Sequence, residues 1–395
     1  MPKPESTSSR AAAADFLRVL SIALVAWYHF WQQSWLNPNF SVFGFEIDLY
    51  PIIRVGYMFV YNMILISGFV LMLSRLSGRY KSARAFYKAR AVRILPSYLF
   101  CLIVFLFVSS MKGGTYDWFG GREHMRQDIL AHLTFTHNLF PQTYTNTGLN
   151  AALWTVAVEV QFYAVFPLLG RLFEKRPFKT YLGMVLVSTL CKLYVHCCEM
   201  NSLMFINRLG TMLDVFANGM LAAVIYTRLK AKRRLGLPSL LLTLASGAGA
   251  YFFLRDLSYV SGEEAQRIAQ MWGASAFSIF GFVFLLCGSL TFRFVKTLFS
   301  NPVTRFLAGI SYNFYIWHQP ISVWLKKLHI PDYAEEYPNV AGNVEWQKSY
   351  MLLCVVCALI AAFRVTYLVE KPCARLLNKP FKELFSRKKE KKDAA

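Results

Sequence analysis

The chain has 395 residues, of which 55% are apolar and only 16% are charged, and its formal net charge is +21. This composition excludes an ordinary soluble protein and is typical of one that crosses a membrane several times. So positive a charge also suits a nucleic-acid-binding protein. Here the Lys and Arg residues lie in short clusters between apolar runs, so no nucleic-acid partner is expected.

Ten apolar runs are long enough to cross a bilayer. We place them at about 15–35, 52–73, 93–110, 153–173, 180–197, 208–228, 238–255, 268–290, 303–325 and 350–370. Alternate loops are rich in Lys and Arg, and the positive-inside rule therefore predicts two cytoplasmic termini. The expected fold is an all-α polytopic membrane domain over residues 15–372. A cytoplasmic segment, 1–14, precedes it and a basic cytoplasmic tail, 373–395, follows it.

The first apolar run contains two ionisable residues, Arg18 and His29. They are eleven residues apart, which returns a helix to within about 20° of the same face and raises it by about 16 Å. An ionisable residue inside a membrane helix marks a functional site by default. The alternative is that Arg18 extends its charge to the membrane surface and His29 is a structural histidine.

Two later runs carry polar side chains at a depth similar to that of His29. Glu159 lies about six residues from the outer end of the fourth run, and His318 lies about seven residues from the outer end of the ninth. Ser311 and Tyr315 share the face of His318 through i, i+4, i+7 spacing. A histidine with a carboxylate at its depth is the minimum for general-base activation of a hydroxyl group. The alternative is a polar network that only holds helices together.

Three arginines lie at the opposite, cytoplasmic ends of the first and third runs: Arg18, Arg90 and Arg93. Arginine binds phosphate groups well because its guanidinium forms paired hydrogen bonds. Phosphates at the inner face and a base near the outer face suggest a substrate that reaches through the membrane. Acyl-coenzyme A fits, because it joins a polyanionic nucleotide to a long pantetheine arm.

Several short motifs resemble those of the acyltransferase-3 family of integral-membrane acyltransferases, in the same order along nearly the whole chain. They are Arg18 with His29, Ile66–Phe69, Arg90–Tyr98, Thr136–Leu139 with Leu153–Tyr163, Ser311–His318 and Glu370–Pro372. The resemblance implies an O-acyltransferase that moves an acyl group, with acetyl expected, from cytosolic acyl-CoA to a hydroxyl of an extracytoplasmic glycan or glycolipid. It also implies a bacterial cell membrane protein that needs no metal. Some relatives carry a fused extracytoplasmic hydrolase-like domain, which this sequence is expected to lack.

In the mechanism we expect, His29 takes the acceptor proton and Glu159 orients His29. Arg18, Arg90 and Arg93 hold the phosphates of the donor. The remaining candidates contact the acceptor or the oxyanion: His318, Ser311, Tyr315, Arg208 and Trp154. An acyl-enzyme on His29 or Ser311 is an alternative to direct transfer.

Two other classes of protein also place charges inside a membrane. A transporter or flippase would use them as a substrate or proton path, but the sequence lacks paired Gly- or Pro-broken spans in corresponding halves. A membrane scaffold would not need charges matched in depth. Hydrolysis of acyl-CoA that depends on His29 would separate the enzyme from both alternatives.

Overall fold

The computed structural model describes residues 11–80, 82–118, 121–198, 203–230, 236–335 and 337–378. Most of the predicted N-terminal segment and of the basic tail therefore lies outside the described residues. The described chain is almost entirely helical, as the sequence predicts. Its ten long helices are α1 (Ala12–Ser34), α2 (Phe59–Leu76), α3 (Ala83–Ser109), α4 (Trp154–Lys175), α5 (Pro177–Cys197), α6 (Leu213–Lys230), α7 (Gly236–Ser258), α8 (Glu263–Leu290), α9 (Pro302–Lys327) and α10 (Val344–Val365).

Short elements connect these helices. One antiparallel hairpin follows α1, formed by β1 (Asn39–Val42) and β2 (Phe45–Asp48). The short helical segments are Tyr50–Arg54, Gly56–Met58, Thr115–Trp118, Gly121–Leu133, His137–Leu139, Pro141–Tyr144, Ala151–Leu153, Leu203–Ile206, Gly210–Met212, Arg293–Phe299, Thr366–Glu370 and Lys371–Asn378. Each long helix overlaps one predicted span, but α2 begins seven residues later than predicted and α3 begins ten residues earlier.

Within the described residues, nine helices are long and apolar enough to cross a membrane. Only α9 among the ten long helices falls short, because polar residues such as Asn313, His318 and Gln319 lower its hydropathy. This helix packs between α1 and α10, and much of its length is buried. A polar helix is tolerated there because its polar side chains face protein rather than lipid.

Helix starts follow from local sequence. At α9, the side chain of Asn301 accepts a hydrogen bond from the backbone N–H of Thr304 at 2.9 Å, and Pro302 occupies the first turn. Asparagine caps satisfy an otherwise unpaired N–H, and proline fits a first turn that needs no donor. Asn343 caps α10 in the same way, through the N–H of Trp346 at 3.0 Å.

The closest helix pair is α2 with α6, and two glycines permit it. A Cβ on Gly68 would lie 2.4 Å from the carbonyl oxygen of Phe216, and one on Gly219 would lie 1.9 Å from that of Leu65. Small residues of this kind let membrane helices pack backbone against backbone. The contact fixes the rotation of α2 and, with it, the direction of the neighbouring Ser67.

The segment between α3 and α4 has many exposed residues, but its last part, which leads into α4, is buried in the bundle. Its buried Asp128 accepts hydrogen bonds from the Tyr116 hydroxyl at 2.8 Å and from the Gly148 N–H at 2.8 Å. The side-chain amide of Asn150 then donates to the Ile316 carbonyl of α9 at 2.7 Å. The chain therefore enters α4 from inside the bundle.

Two histidines of this segment stack on each other. The rings of His132 and His137 are 3.9 Å apart and nearly parallel, and both side chains are buried. Burial lowers the pKa of both below its ordinary value of 6.5, and a protonated His132 would lower that of His137 further. A histidine whose folded pKa is depressed stabilises the fold above pH 6.5, and this contribution is lost as the pH falls toward the folded pKa.

We therefore expect the stack to make the fold acid-sensitive. Between pH 7 and pH 5 the midpoint of thermal unfolding in detergent should fall, with each histidine contributing up to about 1.4 kcal/mol per pH unit. A His137→Phe variant keeps a stacking ring that does not titrate, so its midpoint should fall less. The control is His329→Asn, because His329 is exposed and has a φ of 56°, which asparagine tolerates. Equal pH dependence in wild type and His137→Phe would contradict this.

Candidate active site

Two histidines from different helices meet in the C-terminal halves of α1 and α9, which the predicted topology places toward the outer surface. The ring centroids of His29 and His318 are 5.2 Å apart. His318 is buried, and its Nδ1 lies 2.6 Å from the Tyr315 carbonyl oxygen. A carbonyl only accepts, so Nδ1 carries the hydrogen and a neutral His318 presents Nε2 as an acceptor. That Nε2 has no hydrogen-bond partner among the described residues.

Gln32 orients His29. The side-chain amide of Gln32 donates from Nε2 to the Tyr28 hydroxyl at 2.8 Å, which leaves its Oε1 to face His29 Nδ1 at 3.0 Å. His29 Nδ1 must then donate, so Nε2 is free to accept a proton. His29 is half-buried and Gln32 is exposed, so this pair is accessible from the surface of the protein. Gln32 was not among the site residues predicted from sequence, although its i, i+3 spacing from His29 places it on the same face of α1.

Glu159 lies elsewhere. Its carboxylate accepts hydrogen bonds from the Ser67 hydroxyl of α2 at 2.7 Å and from the Tyr163 hydroxyl at 2.5 Å. Its charge interacts with Arg18. The expected contact between Glu159 and His29 is therefore wrong in this structure.

The prediction was wrong because the depth of Glu159 was counted from the start of α4, as if α4 began at the membrane surface. Asn150 bonds the carbonyl of Ile316, two residues before His318, so the chain is already at the level of the histidines four residues before α4 begins. Leu153 is fully buried. Glu159, five residues into α4, then lies about 8 Å deeper than Trp154, at 1.5 Å per residue.

Arg18 lies in a cluster with Arg90 and Glu159, which we call the inner cluster because the predicted topology places it toward the cytoplasm. It interacts electrostatically with Asp15 and Glu159, which attract it, and with Arg93, which repels it. Arg18 makes no hydrogen bond or ion pair with any residue that the structure describes. A half-buried guanidinium without a direct partner can bind an anionic group that enters the cluster.

Arg90 is fixed beside Glu159 by aromatic rings. One of its terminal nitrogens donates to the Tyr80 hydroxyl at 2.5 Å. Its guanidinium lies 5.8 Å from the ring centroid of Tyr163, whose hydroxyl bonds Glu159. Cation–π contacts of this kind hold an arginine without neutralising it.

Arg93, in contrast, is already paired. It forms an ion pair with Glu370, whose other carboxylate oxygen accepts a hydrogen bond from the Asn313 amide at 2.8 Å. Arg93 and Arg90 therefore differ in their contacts, although both are predicted from sequence to hold phosphates of the donor. Glu370 was predicted from sequence only as part of a closing motif. Its pairing with Arg93 could not be predicted, because the two residues are 277 positions apart.

The other candidates have structural contacts. The Ser311 hydroxyl donates to the Ala308 carbonyl of its own helix at 2.9 Å, and the Tyr315 ring lies 5.5 Å from that of His318. Trp154 is partly buried against the core. Arg208 donates to the Leu139 carbonyl at 3.3 Å and lies 4.3 Å from the ring of Phe205. None of these contacts places Arg208 beside either histidine.

The candidate active site thus has two parts, and α1 contributes His29 to one and Arg18 to the other. An outer pair, His29 with His318, provides proton acceptors, and an inner cluster around Arg18, Arg90 and Glu159 provides cations. In the part of the chain that the structure describes, no three His, Cys, Asp or Glu side chains converge to hold a metal ion.

Comparison with known proteins gives one consistent family. The O-acetyltransferases OatA of Staphylococcus aureus strains NCTC 8325 / PS 47, COL and MRSA252 are each 23% identical to this chain over 296 residues. The alignment covers 70% of this chain and 47% of each relative, so the chain spans about half the length of the curated relatives it matches. No solved structure matches it significantly. A family described as an acyltransferase domain matches residues 12–370, and the chain therefore belongs to this acyltransferase family.

Proposed function

We propose that this protein is a membrane O-acetyltransferase of the bacterial plasma membrane. It takes an acetyl group from cytosolic acetyl-CoA and transfers it to a hydroxyl of an extracytoplasmic glycan or glycolipid. The observation that carries the proposal is the arrangement on α1, where an oriented His29 lies eleven residues from Arg18, which makes no direct bond with the residues that the structure describes. OatA of Staphylococcus aureus, which is named an O-acetyltransferase, supports acetyl as the group transferred.

His29 acts as the general base. Its Nε2 removes the proton of the acceptor hydroxyl, and the acceptor oxygen attacks the thioester carbonyl carbon. The carbon–sulfur bond breaks, the acetyl ester forms, and the coenzyme A thiolate takes the proton from the imidazolium. Gln32 keeps the base ready for this step, because it holds the Nδ1 hydrogen and so leaves Nε2 unprotonated.

His318 is a second proton acceptor rather than an oxyanion donor. Its neutral form has no hydrogen on Nε2, since Nδ1 donates to the Tyr315 carbonyl. We therefore assign it to accepting a hydrogen bond from a second O–H or N–H group of the acceptor, which holds the reacting hydroxyl beside His29. An acyl-enzyme on Ser311 is disfavoured, because the Ser311 hydroxyl is buried and bonded within its own helix.

The inner cluster binds the donor. Arg18, which makes no direct bond among the described residues, supplies a cation for a phosphate of coenzyme A, and Arg90 supplies a second, fixed by Tyr80 and Tyr163. Glu159 balances the cluster when the donor is absent, so that Arg18 is not buried beside Arg93 without a counter-charge. Because Arg93 is paired with Glu370, its main role is to stabilise the fold rather than to bind the donor.

The proposal is tested by acetyl transfer in reconstituted vesicles. Protein in liposomes is given labelled acetyl-CoA, and release of free coenzyme A is followed; in parallel, surface glycans from cells with and without the protein are compared by mass spectrometry. We expect coenzyme A release and a glycan bearing the mass of an acetyl ester, both lost in His29→Ala by about 10²–10⁴-fold. A transporter would move its substrate without releasing coenzyme A. Undiminished acetylation by a folded His29→Ala variant would contradict the proposal.

Gln32 should be energetically coupled to His29. Gln32→Leu removes one hydrogen bond worth about 0.5–1.5 kcal/mol, so kcat should fall about 2- to 13-fold with little change in the donor KM. In the His29→Ala background the same change should have no further effect, because parts of one catalytic unit are not additive. Glu159→Gln serves as the contrast, with its main effect on the donor KM. Coupling of His29 to Glu159 instead of Gln32 would contradict this assignment.

Arg18 should matter more than Arg93 for donor binding. Loss of a charged hydrogen bond costs about 1.5–3 kcal/mol, so Arg18→Gln should weaken coenzyme A binding by about 10- to 150-fold. Arg93→Gln should have a smaller effect on affinity and a larger one on thermal stability, since it leaves Glu370 unpaired. Calorimetry in detergent measures the affinities, and Arg18→Lys is the conservative control. Equal affinity of wild type and Arg18→Gln would contradict the assignment.

A further inference from the structure

A groove on the lipid-facing side of α4 and α5 has no part in the proposed reaction. Its volume is about 650 Å3, and it lies at the ends of these helices that join through Arg176. Its walls are apolar over most of their length, and three cations stand at one end. The side chains that line the groove include Leu169, Leu172, Lys175, Arg176, Lys179 and Val187.

The three cations at the end of the groove are not neutralised by protein. Lys175, Arg176 and Lys179 are exposed, and none forms an ion pair with a residue that the structure describes. The nearest acid in sequence, Glu174, is held by Arg75 of α2 at 2.6 Å. No acidic residue lines the groove. The site therefore presents a net positive charge at the membrane surface.

Gly183 keeps the apolar part of the groove open. It lies in the interior of α5, and a Cβ placed on it would meet nothing within 4 Å. Glycine is unfavourable within a helix, so an empty space beside it is not explained by close helix packing. From Lys179 to Val187 the groove follows α5 for eight residues, or about 12 Å. That length suits the first part of a lipid acyl chain.

We propose that this groove is a binding site for one anionic glycerophospholipid of the inner leaflet. The phosphate headgroup contacts Lys175, Arg176 and Lys179, and an acyl chain lies in the apolar part of the groove beside Gly183. Basic pockets between membrane helices on the cytoplasmic side favour anionic headgroups, and the predicted topology places this end of α4 and α5 inside the cell. A zwitterionic lipid would bring an ammonium group to three unpaired cations and should bind less well.

The site is tested by lipid retention in native mass spectrometry of the purified protein. Phosphatidylglycerol and phosphatidylcholine with the same acyl chains are the probes. We expect wild type to retain phosphatidylglycerol at least about tenfold better than phosphatidylcholine. The preference should be lost in the triple variant K175Q/R176Q/K179Q. Gly183→Leu, which fills the apolar part of the groove and leaves the charges intact, should reduce retention of both lipids.

Two matched controls separate the groove from the general surface. The triple variant R293Q/R305Q/R364Q removes three exposed cations outside the groove, and Gly247→Leu adds a side chain at a glycine of α7 that also has nothing within 4 Å. Both should retain phosphatidylglycerol like wild type. The proposal is overturned if the controls lose as much lipid as the groove variants, or if Gly183→Leu retains lipid normally. It is also overturned if the K175Q/R176Q/K179Q variant loses coenzyme A binding instead, because the cations would then belong to the donor site.

Discussion

A polar side chain inside a bilayer needs a partner, because the hydrocarbon offers no water to solvate it. Within this bundle, that requirement separates side chains that hold helices together from side chains left for a substrate. Lys192 illustrates the first kind, since it donates to Asp214 at 2.8 Å and to Ser275 at 2.5 Å and joins three helices. Arg18 illustrates the second, because it has charge neighbours but no direct bond among the described residues.

The same requirement explains why α9 is the least apolar of the long helices. Asn313 bonds Glu370, His318 bonds the carbonyl of Tyr315, and the carbonyl of Ile316 accepts the Asn150 amide. The bonds of Asn313 and Ile316 join α9 to the segment after α10 and to the segment before α4, whereas the bond of His318 lies within α9. The helix is polar where it meets protein, and it carries one half of the histidine pair.

Much of the fold and one part of the site could be predicted from sequence. Apolar runs between charged loops locate the long helices, including α9, whose hydropathy is lower than that of the other nine, because membrane thickness fixes helix length. Helical spacing places Arg18 and His29 on one face, and counting from the outer helix ends predicts that His29 and His318 lie at similar depth. The structure brings these two histidines to 5.2 Å. Their catalytic roles stay predictions.

The other features of the site depend on contacts between residues that are far apart in the sequence, and such contacts leave no local signal. Glu159 was misplaced because the segment before α4 enters the bundle, and hydropathy does not reveal where a helix begins relative to the membrane surface. Arg93 and Glu370 meet across 277 residues, so their pairing has no local signal. Gln32 is different: its spacing from His29 was visible, but an uncharged amide does not stand out beside a carboxylate at a matching depth.

The central claim is that donor and acceptor reach one protein from opposite sides of the membrane. Inside-out and right-side-out membrane vesicles containing the protein test it most directly, with labelled acetyl-CoA and a glycan acceptor supplied on chosen sides. The account predicts transfer when acetyl-CoA is outside inside-out vesicles and the acceptor is in their lumen, and no transfer when both are added outside. Equal acetylation of acceptor on the donor side, without access to the lumen, would contradict it.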